Sequence, residues 1–216
     1  MPEVEKGWGM GANLAGNSKQ RLILASGSES RRRVMQAAGL EFEAIPADID
    51  EASVRDAMRA DRARCMEVAE RLAELKALKI SQNHPDALVI GSDQILDFEG
   101  AWFEKPADRA QARAHLIRLR GQTHELVTAV VVCRAGARIW EHRAVARLTM
   151  RDLSDDFIET YLTAARTGVL SSVGAYQLEG LGAQLFLSIE GDFFSVLGLP
   201  LLPLLEFLRE EEVVAR

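Results

Sequence analysis

A short apolar run that leads through small polar residues into a helical pattern occupies residues 21–39. Leu22 to Ala25 is typical of a buried strand, because four apolar residues are bounded by polar ones. The next three residues, Ser26 to Ser28, predict a turn in which Ser28 caps a helix that ends at Gly39. A strand that turns directly into a helix leaves free backbone N–H groups at the turn, and these groups favour an anion.

Three consecutive arginines, Arg31, Arg32 and Arg33, fall in the first turns of this predicted helix. A helix N-terminus already carries partial positive charge, so each exposed cation there costs roughly 0.3–1 kcal/mol. The guanidinium groups, two serine hydroxyls and free N–H groups would together bind an anion. The alternative is a solvated basic helix start whose arginines pair with Asp or Glu from elsewhere in the chain.

The charge balance limits the partners that such a site can serve. The 216 residues carry a net charge of −6, which argues against a nucleic-acid polymer as partner. A local basic site on an acidic protein suits a small, highly charged anion better.

Signals for other compartments are missing from the sequence. No apolar run approaches the roughly 18 residues of a membrane span, and the N-terminus has no signal-peptide pattern. The two cysteines, Cys65 and Cys133, lack metal-ligand spacing and are expected to be reduced thiols. We therefore expect a cytoplasmic protein that is not associated with a membrane.

An acidic segment precedes a long helical pattern that contains Lys76. Asp48 to Glu51 could hold a divalent cation through carboxylate oxygens, although such clusters are also common as helix caps or solvated loops. From Ser53 to Ile80 the apolar spacing predicts one long helix, or two with a break near Asp61. Lys76 lies on this helix near its core face, so it either extends from the edge of the core or reaches into a site.

A second buried strand is predicted at Ala87 to Ile90, ending in the polar segment Gly91 to Gln94. Asp93 would then lie at the carboxyl end of the strand, where open α/β sheets bind ligands. Further on, Lys105 precedes Pro106, which restricts the backbone at that point.

The rest of the chain alternates strands and helices. The predicted elements are a strand at 41–45, a strand or hairpin at 95–103, a helix at 108–120, paired strands at 123–134 and 137–149, a helix at 154–166, a strand at 183–189 and a helix at 200–210. The glycine-dense residues 174–182 allow close approach to a ligand or form plain turns, and His124 is expected to be a hydrogen-bonded structural residue. This alternation favours one mixed α/β domain at residues 21–216 behind a loose lead-in at residues 1–20.

Seven separated motifs, taken in order, resemble those of the Maf family of nucleoside triphosphate pyrophosphatases. They are Ala25-Ser26-x-Ser28-x-x-Arg31, Asp48-x-Asp50-Glu51, Lys76-Ala77, Gly91-Ser92-Asp93, Lys105-Pro106, Gly121-x-Thr123-His124, and Gly191-Asp192 with Gly198-Leu199-Pro200. The match runs from about Arg21 to Leu208. Each motif is weak singly, but seven in family order with credible gaps form a specific signal.

The resemblance implies a Maf/ITPase-like α/β fold, in which helices flank an elongated mixed sheet and two lobes enclose a central cleft. It implies hydrolysis of a nucleoside triphosphate to the monophosphate and pyrophosphate with a divalent cation, Mg²⁺ or Mn²⁺, and makes a homodimer plausible. Asp93 matches the proton acceptor, and Glu51 and Asp93 match the metal-side carboxylates. The positions that match triphosphate-binding residues are Ser26, Ser28, Arg31, Lys76 and Lys105.

The resemblance extends to one of two groups within the family. One group carries Asp-Thr after the sheet strand and acts on pyrimidine or related triphosphates, whereas the other carries Ser-Asp-Gln and Glu-Gly-Leu-Gly and prefers 7-methyl-GTP. This chain has the second pattern, so Gln94 and Glu179 match specificity positions. It departs from that group at Ser30, where a Trp that could stack on the base is common, and from the family at Glu104, where Gly is usual.

Other functions remain open at this point. The same enzyme could prefer another base, such as that of UTP or dTTP, or the chain could be a nucleotide-binding regulator of cell division with little catalysis. A phosphatase or kinase-like enzyme is a further alternative, although the sequence contains no Gly-x-x-x-x-Gly-Lys-Ser/Thr loop.

Overall fold

The structure, a computed structural model, describes residues 20–215 of the chain. Nearly all of the predicted lead-in at residues 1–20 therefore lies outside the described residues. The described strands are β1 (Arg21–Leu24), β2 (Glu43–Ala44), β3 (Ala87–Phe98), β4 (Ala101–Phe103), β5 (Thr123–Arg134), β6 (Ala137–Met150) and β7 (Phe186–Glu190). The α-helices are α1 (Glu29–Ala37), α2 (Glu51–Ala60), α3 (Cys65–Ser81), α4 (Arg109–Leu119), α5 (Asp155–Ala165), α6 (Phe193–Val196) and α7 (Leu201–Glu210). Short 3₁₀ segments cover Arg166–Leu170, Val173–Ala175 and Leu181–Leu185.

The described strands form a single mixed sheet. Its order is β2-β1-β3-β5-β6-β7, and β4 pairs with the distal end of β3. β1 runs parallel to β2 and β3, whereas the other pairings are antiparallel. Strands β3, β5 and β6 contain 12, 12 and 14 residues, so each is roughly 40–46 Å long at about 3.3 Å per residue. The predicted elongated mixed sheet flanked by helices is thus confirmed.

Three apolar clusters cover the sheet and divide the protein into two lobes. Helix α3 packs on one face of the half that contains β1, and helices α1 and α7 pack on the opposite face. The distal parts of β3, β5 and β6 pack against α4, α5 and the 3₁₀ segments. Both faces of β1 are covered, because Ile23 belongs to the α3 cluster and its neighbour Leu24 to the α1–α7 cluster. This explains why β1 is a continuous apolar run.

Strand β3 is longer than the sequence predicts. The prediction ends the strand at Ile90, where polar residues begin, but the strand continues to Phe98. Ser92 and Asp93 are buried and lie opposite Val130 and Ala129 of β5 in an unbroken ladder. The polar residues are part of the sheet, and the expected position of Asp93 at the end of the strand is wrong.

Other boundaries differ by a few residues. The predicted strand at 41–45 is reduced to the two residues of β2, and the predicted strand at 183–189 begins only at Phe186, after a 3₁₀ segment. The helical pattern at 53–80 is two helices, α2 and α3, as one of the alternatives allowed. Arg62, between them, adopts a φ of 58°, which a continuous helix does not permit.

The two cysteines are buried and free, as expected. Burial raises the pKa of Cys65 to about 12 and that of Cys133 to about 11, so both thiols stay protonated at neutral pH. Within the described residues, no helix is both long enough and apolar enough to cross a bilayer.

His124 is a buried structural residue, as predicted. Its Nε2 lies 2.6 Å from the Tyr176 hydroxyl, and both side chains pack in the distal lobe. Burial lowers the pKa of His124 to about 4, because the imidazolium would lose its water there.

The His124 shift predicts a specific loss of stability in acid. Between pH 6.5 and pH 4 the unfolded chain binds a proton at His124 that the folded chain does not, so the free energy of unfolding falls by about 3 kcal/mol as the pH is lowered. Chemical unfolding at pH 7 and pH 4 should show a smaller acid loss for His124→Gln than for the wild type. Equal pH dependence in the two proteins would contradict the assignment.

Candidate active site

The candidate site lies in a gap along one edge of β3. Pairing of β3 with β1 ends at Ile90, and pairing with β4 begins at Leu96. Residues 91–95 are therefore paired on the β5 side only, among the strands that the structure describes. A cavity of about 800 Å³ opens at this gap, between the two lobes. Asp93 is the middle residue of the segment 91–95, and it lines the cavity. The predicted central cleft is confirmed.

A buried lysine joins two carboxylates at the floor of the cavity. Lys76 Nζ lies 2.6 Å from Asp93 Oδ1 and 2.9 Å from Glu51 Oε1. Lys76 is 7% exposed and Asp93 is 3% exposed. Charges at this depth are tolerated only when they are paired, so the three groups position one another.

Gly91 allows this arrangement because α3 packs directly on β3. A Cβ atom at position 91 would lie 2.1 Å from the carbonyl oxygen of Ala73 and 2.8 Å from the amide nitrogen of Ala77. Any larger residue would force the helix away from the strand. The close approach brings Lys76 on α3 within hydrogen-bond distance of Asp93 on β3.

Burial raises the pKa of Asp93, whereas Lys76 and Arg31 act in the opposite direction. Asp93 Oδ2 is buried without a hydrogen-bond partner among residues 20–215. One oxygen is thus fixed by Lys76, while the other remains for a ligand or water.

The turn between β1 and α1 forms a second wall of the cavity. Ser28 caps α1 as predicted, accepting from the Arg31 amide at 3.4 Å. Ser26 Oγ accepts from the Ser28 amide at 3.2 Å and from Arg31 Nη1 at 3.1 Å. Arg31 Nε donates to the Gly198 carbonyl at 2.8 Å, so the buried guanidinium is held on two sides. All four of these residues line the cavity.

The other two arginines of the triplet do not join the site. Arg32 and Arg33 are exposed and pair with Glu29 at 3.7 Å and 3.2 Å. The alternative of a solvated basic helix start applies to them, whereas the anion-site interpretation applies to Arg31 alone.

Lys105 reaches the cavity from the loop after β4. Burial of its ammonium group lowers the pKa of Lys105, and the nearby cations Arg31 and Lys76 lower it further. Glu51 is affected in the opposite way: burial opposes its ionisation, but Lys76, Arg55 and Arg31 together hold its pKa below the ordinary value. In the part of the cavity nearest Asp93, the cations Arg31, Lys76 and Lys105 outnumber the carboxylates Asp93 and Glu51, and this local positive charge favours an anionic ligand.

The three predicted specificity residues all line the cavity. Ser30 Oγ donates to Glu179 Oε1 at 3.1 Å, a contact between residues 149 positions apart in the chain. Gln94 Nε2 donates to Thr128 Oγ1 at 2.9 Å and to the Ser195 and Val196 carbonyls at 2.8 and 3.2 Å. The amide nitrogen of Gln94 is thus fully used within the protein, and only its Oε1 remains for a ligand.

Arg55 and Gln177 are among the polar residues of the cavity that the sequence does not identify. Arg55 Nη2 lies 2.7 Å from Glu51 Oε2, and the four-residue spacing from Glu51 was the available signal. Gln177 belongs to the glycine-dense segment 174–182, for which the sequence predicts either close approach to a ligand or plain turns. A further set of residues gives the cavity an apolar part: Ile95, Phe103, Leu126, Val173 and Tyr176.

The carboxylates of the cavity fit a divalent cation whose coordination would be completed by the substrate. Within residues 20–215, no group of three or more His, Cys, Asp or Glu side chains is arranged to hold a metal. Asp93 Oδ2 is nevertheless a buried oxygen without a partner there, and Glu51 shares Lys76 with Asp93. Mg²⁺ is commonly bound by one or two carboxylates together with substrate phosphates. The residues present fit that type of site.

Comparison with known proteins relates most of this chain to one family. Residues 21–211 match the family described as Maf-like protein. A nucleoside triphosphate pyrophosphatase from Paramagnetospirillum magneticum is 55% identical over 188 residues, covering 87% of this chain and 97% of the relative. One of the same description from Granulibacter bethesdensis is 51% identical over 194 residues, covering 90% and 98%.

A third relative carries a more specific description. It is a 7-methyl-GTP pyrophosphatase from Rhizobium etli, 52% identical over 190 residues, which cover 88% of this chain and 96% of the relative. The family match includes every predicted site residue, from Ser26 to Glu179, and the relatives align over almost their whole length. This chain therefore belongs to the Maf family.

Proposed function

We propose that this protein hydrolyses a nucleoside triphosphate to the nucleoside monophosphate and pyrophosphate. The observation that carries the proposal is the convergence of Arg31, Lys76 and Lys105 on one cavity that also contains the buried Asp93. A polyphosphate is the small anion whose charge matches such a set of cations. The descriptions of the relatives support the same class of hydrolase.

The cations have different roles in binding. Arg31 is held by Gly198 and Ser26, so its guanidinium presents donors in a fixed direction. Ser28 and the first amides of α1 add the N-terminal donors of a helix. Lys105 is on a loop and acts as a movable point charge.

Asp93 is the proposed proton acceptor. A water molecule attacks the α-phosphorus, the bond from that phosphorus to the α–β bridging oxygen breaks, and pyrophosphate leaves. The proton of the water passes to Asp93, whose Oδ2 has no other partner in the described part of the chain. Burial raises the pKa of this carboxylate, which makes it a better base than an exposed aspartate.

We also propose that the reaction uses Mg²⁺ or Mn²⁺, held by Glu51 and Asp93 together with phosphate oxygens. When bound, such a cation supplies Lewis-acid stabilisation of the developing negative charge. Lys76 keeps both carboxylates in place in the absence of other ligands.

Replacing Asp93 tests the chemical step. Asp93→Asn keeps the shape but removes the base, so turnover of the folded, nucleotide-saturated variant should fall by ~10²–10⁴-fold. Release of pyrophosphate, as distinct from orthophosphate, is the measurement. Asp97→Asn is the matched control, because Asp97 lies on the same strand and accepts from the Gly100 amide in the hairpin. Near-normal turnover of Asp93→Asn would remove Asp93 from this role.

We propose 7-methyl-GTP or a related modified guanine nucleotide as the substrate, which would make the protein an enzyme that removes modified nucleotides from the pool. The specificity residues offer mainly acceptors: Glu179 retains Oε2 beside its bond with Ser30, and Gln94 retains Oε1. A guanine ring presents adjacent donors, N1–H and the exocyclic amine, whereas uracil and thymine present one N–H between two acceptors. A positive charge on a methylated ring would strengthen the bond to Glu179.

Glu179→Gln tests this base preference. The amide loses charge and gains donors, so catalytic efficiency for 7-methyl-GTP and GTP should fall relative to UTP and dTTP. The ratio of kcat/KM across these four nucleotides is the measurement, and Glu190→Gln on the exposed strand β7 is the control. An unchanged ranking in Glu179→Gln would exclude Glu179 from reading the base.

We propose a cytoplasmic location, which the two free cysteines support. The plausible homodimer stays a prediction.

A further inference from the structure

We propose that Arg55 binds the terminal phosphate of the substrate and sets a preference for triphosphates over diphosphates. Arg55 lines the cavity from α2, and its side chain is 20% exposed. The inference rests on the proposed function, in which the cation cluster of Arg31, Lys76 and Lys105 binds the phosphate chain and the α-phosphate lies beside Asp93.

Arg55 is the outer cation in a row of alternating charges. The row begins at Asp93, whose Oδ1 lies 2.6 Å from Lys76 Nζ, and continues 2.9 Å to Glu51 Oε1. Glu51 Oε2 then lies 2.7 Å from Arg55 Nη2, and Arg55 Nη1 lies 3.8 Å from Glu104 Oε1. With the α-phosphate beside Asp93, the β- and γ-phosphates extend outward along this row. Arg55 is therefore placed to meet the γ-phosphate.

The contact with Glu104 is the weakest in the row. Glu104 is exposed, comes from a different segment than α2, and immediately precedes Lys105. A terminal phosphate offers oxygens for a bidentate bond to a guanidinium, which a single carboxylate oxygen at 3.8 Å does not. The phosphate should therefore displace Glu104 from Arg55 and lie between Arg55 and Lys105.

A purely structural role would give a different result. Ion pairs four residues apart on a helix contribute little to stability, and α2 has no buried residue, so loss of Arg55 should not unfold the protein. If Arg55 acted only by holding Glu51, its loss would affect every substrate that uses the site near Lys76 and Asp93. If it binds the γ-phosphate, its loss should affect only ligands that have one.

The test compares two non-hydrolysable ligands, the α,β-methylene triphosphate and the α,β-methylene diphosphate of the same nucleoside, by calorimetric titration. Arg55→Ala should weaken binding of the triphosphate by ~10–100-fold, the range for bonds to charged groups, and of the diphosphate by less than about 3-fold. Arg55→Lys should retain part of the difference. Arg59→Ala is the matched control, because Arg59 lies one turn further on α2 and stacks on Trp102 at 4.7 Å, away from the cavity wall.

A second variant tests the competition with Glu104. Glu104→Gln removes the charge that competes for Arg55, so the triphosphate analogue should bind more tightly and the diphosphate analogue should bind as before. Weaker binding of the triphosphate in this variant would contradict the proposed displacement.

Equal losses for both analogues in Arg55→Ala, or no loss for either, would overturn the assignment of Arg55. The proposed function is tested separately. It fails if the wild-type protein releases no pyrophosphate from any nucleoside triphosphate, whatever the binding experiments show.

Discussion

The ammonium group of Lys76, placed between Asp93 and Glu51, is the interaction on which the rest of the site depends. Removing one partner of a buried ion pair leaves an uncompensated charge and costs about 3–5 kcal/mol. The pair is therefore part of the core as well as of the site. It also joins three separate elements, α2, α3 and β3, at one point.

The sheet topology explains why this cluster is accessible at all. Parallel pairing of β3 with β1 ends at Ile90, and antiparallel pairing of β3 with β4 begins after a gap of five residues. The gap between them exposes an edge of a strand that is otherwise buried. The helix N-terminus after β1 faces this gap from one side, and the loop that carries Lys105 faces it from the other. The cleft, which is rich in hydrogen-bond donors, therefore lies where β1 stops pairing with β3 and before β4 begins to pair with it.

Much of the site could be predicted because its residues lie at the ends of strong local patterns. The β1–α1 turn combines an apolar strand, a serine cap and a basic residue, and the structure has each of them. The helical spacing predicts that Lys76 lies at the edge of the core or in a site. In the structure it is buried in the floor of the cavity.

The rest depends on contacts between distant segments. Strand β3 continues through Ser92 and Asp93 because β5 and the packed helices cover them, and no local pattern shows that cover. The same burial raises the pKa of Asp93 even though Lys76 and Arg31 act in the opposite direction, and the sequence shows the cations but not the depth of the carboxyl group. The hydrogen bond from Ser30 to Glu179 and the contact of Arg55 with Glu104 join segments that are remote in sequence. Arg31 differs from Arg32 and Arg33 only in the direction it faces around α1, which requires the packed fold.

The central claim is that this cation cluster holds a polyphosphate with its scissile bond at Asp93. A crystal structure with an α,β-methylene nucleoside triphosphate tests it most directly. The phosphates should lie within hydrogen-bond distance of Arg31, Lys76 and Lys105, with the α-phosphorus nearest to the Asp93 carboxylate. A nucleotide bound at another surface, or one whose phosphates face away from Asp93, would contradict the account.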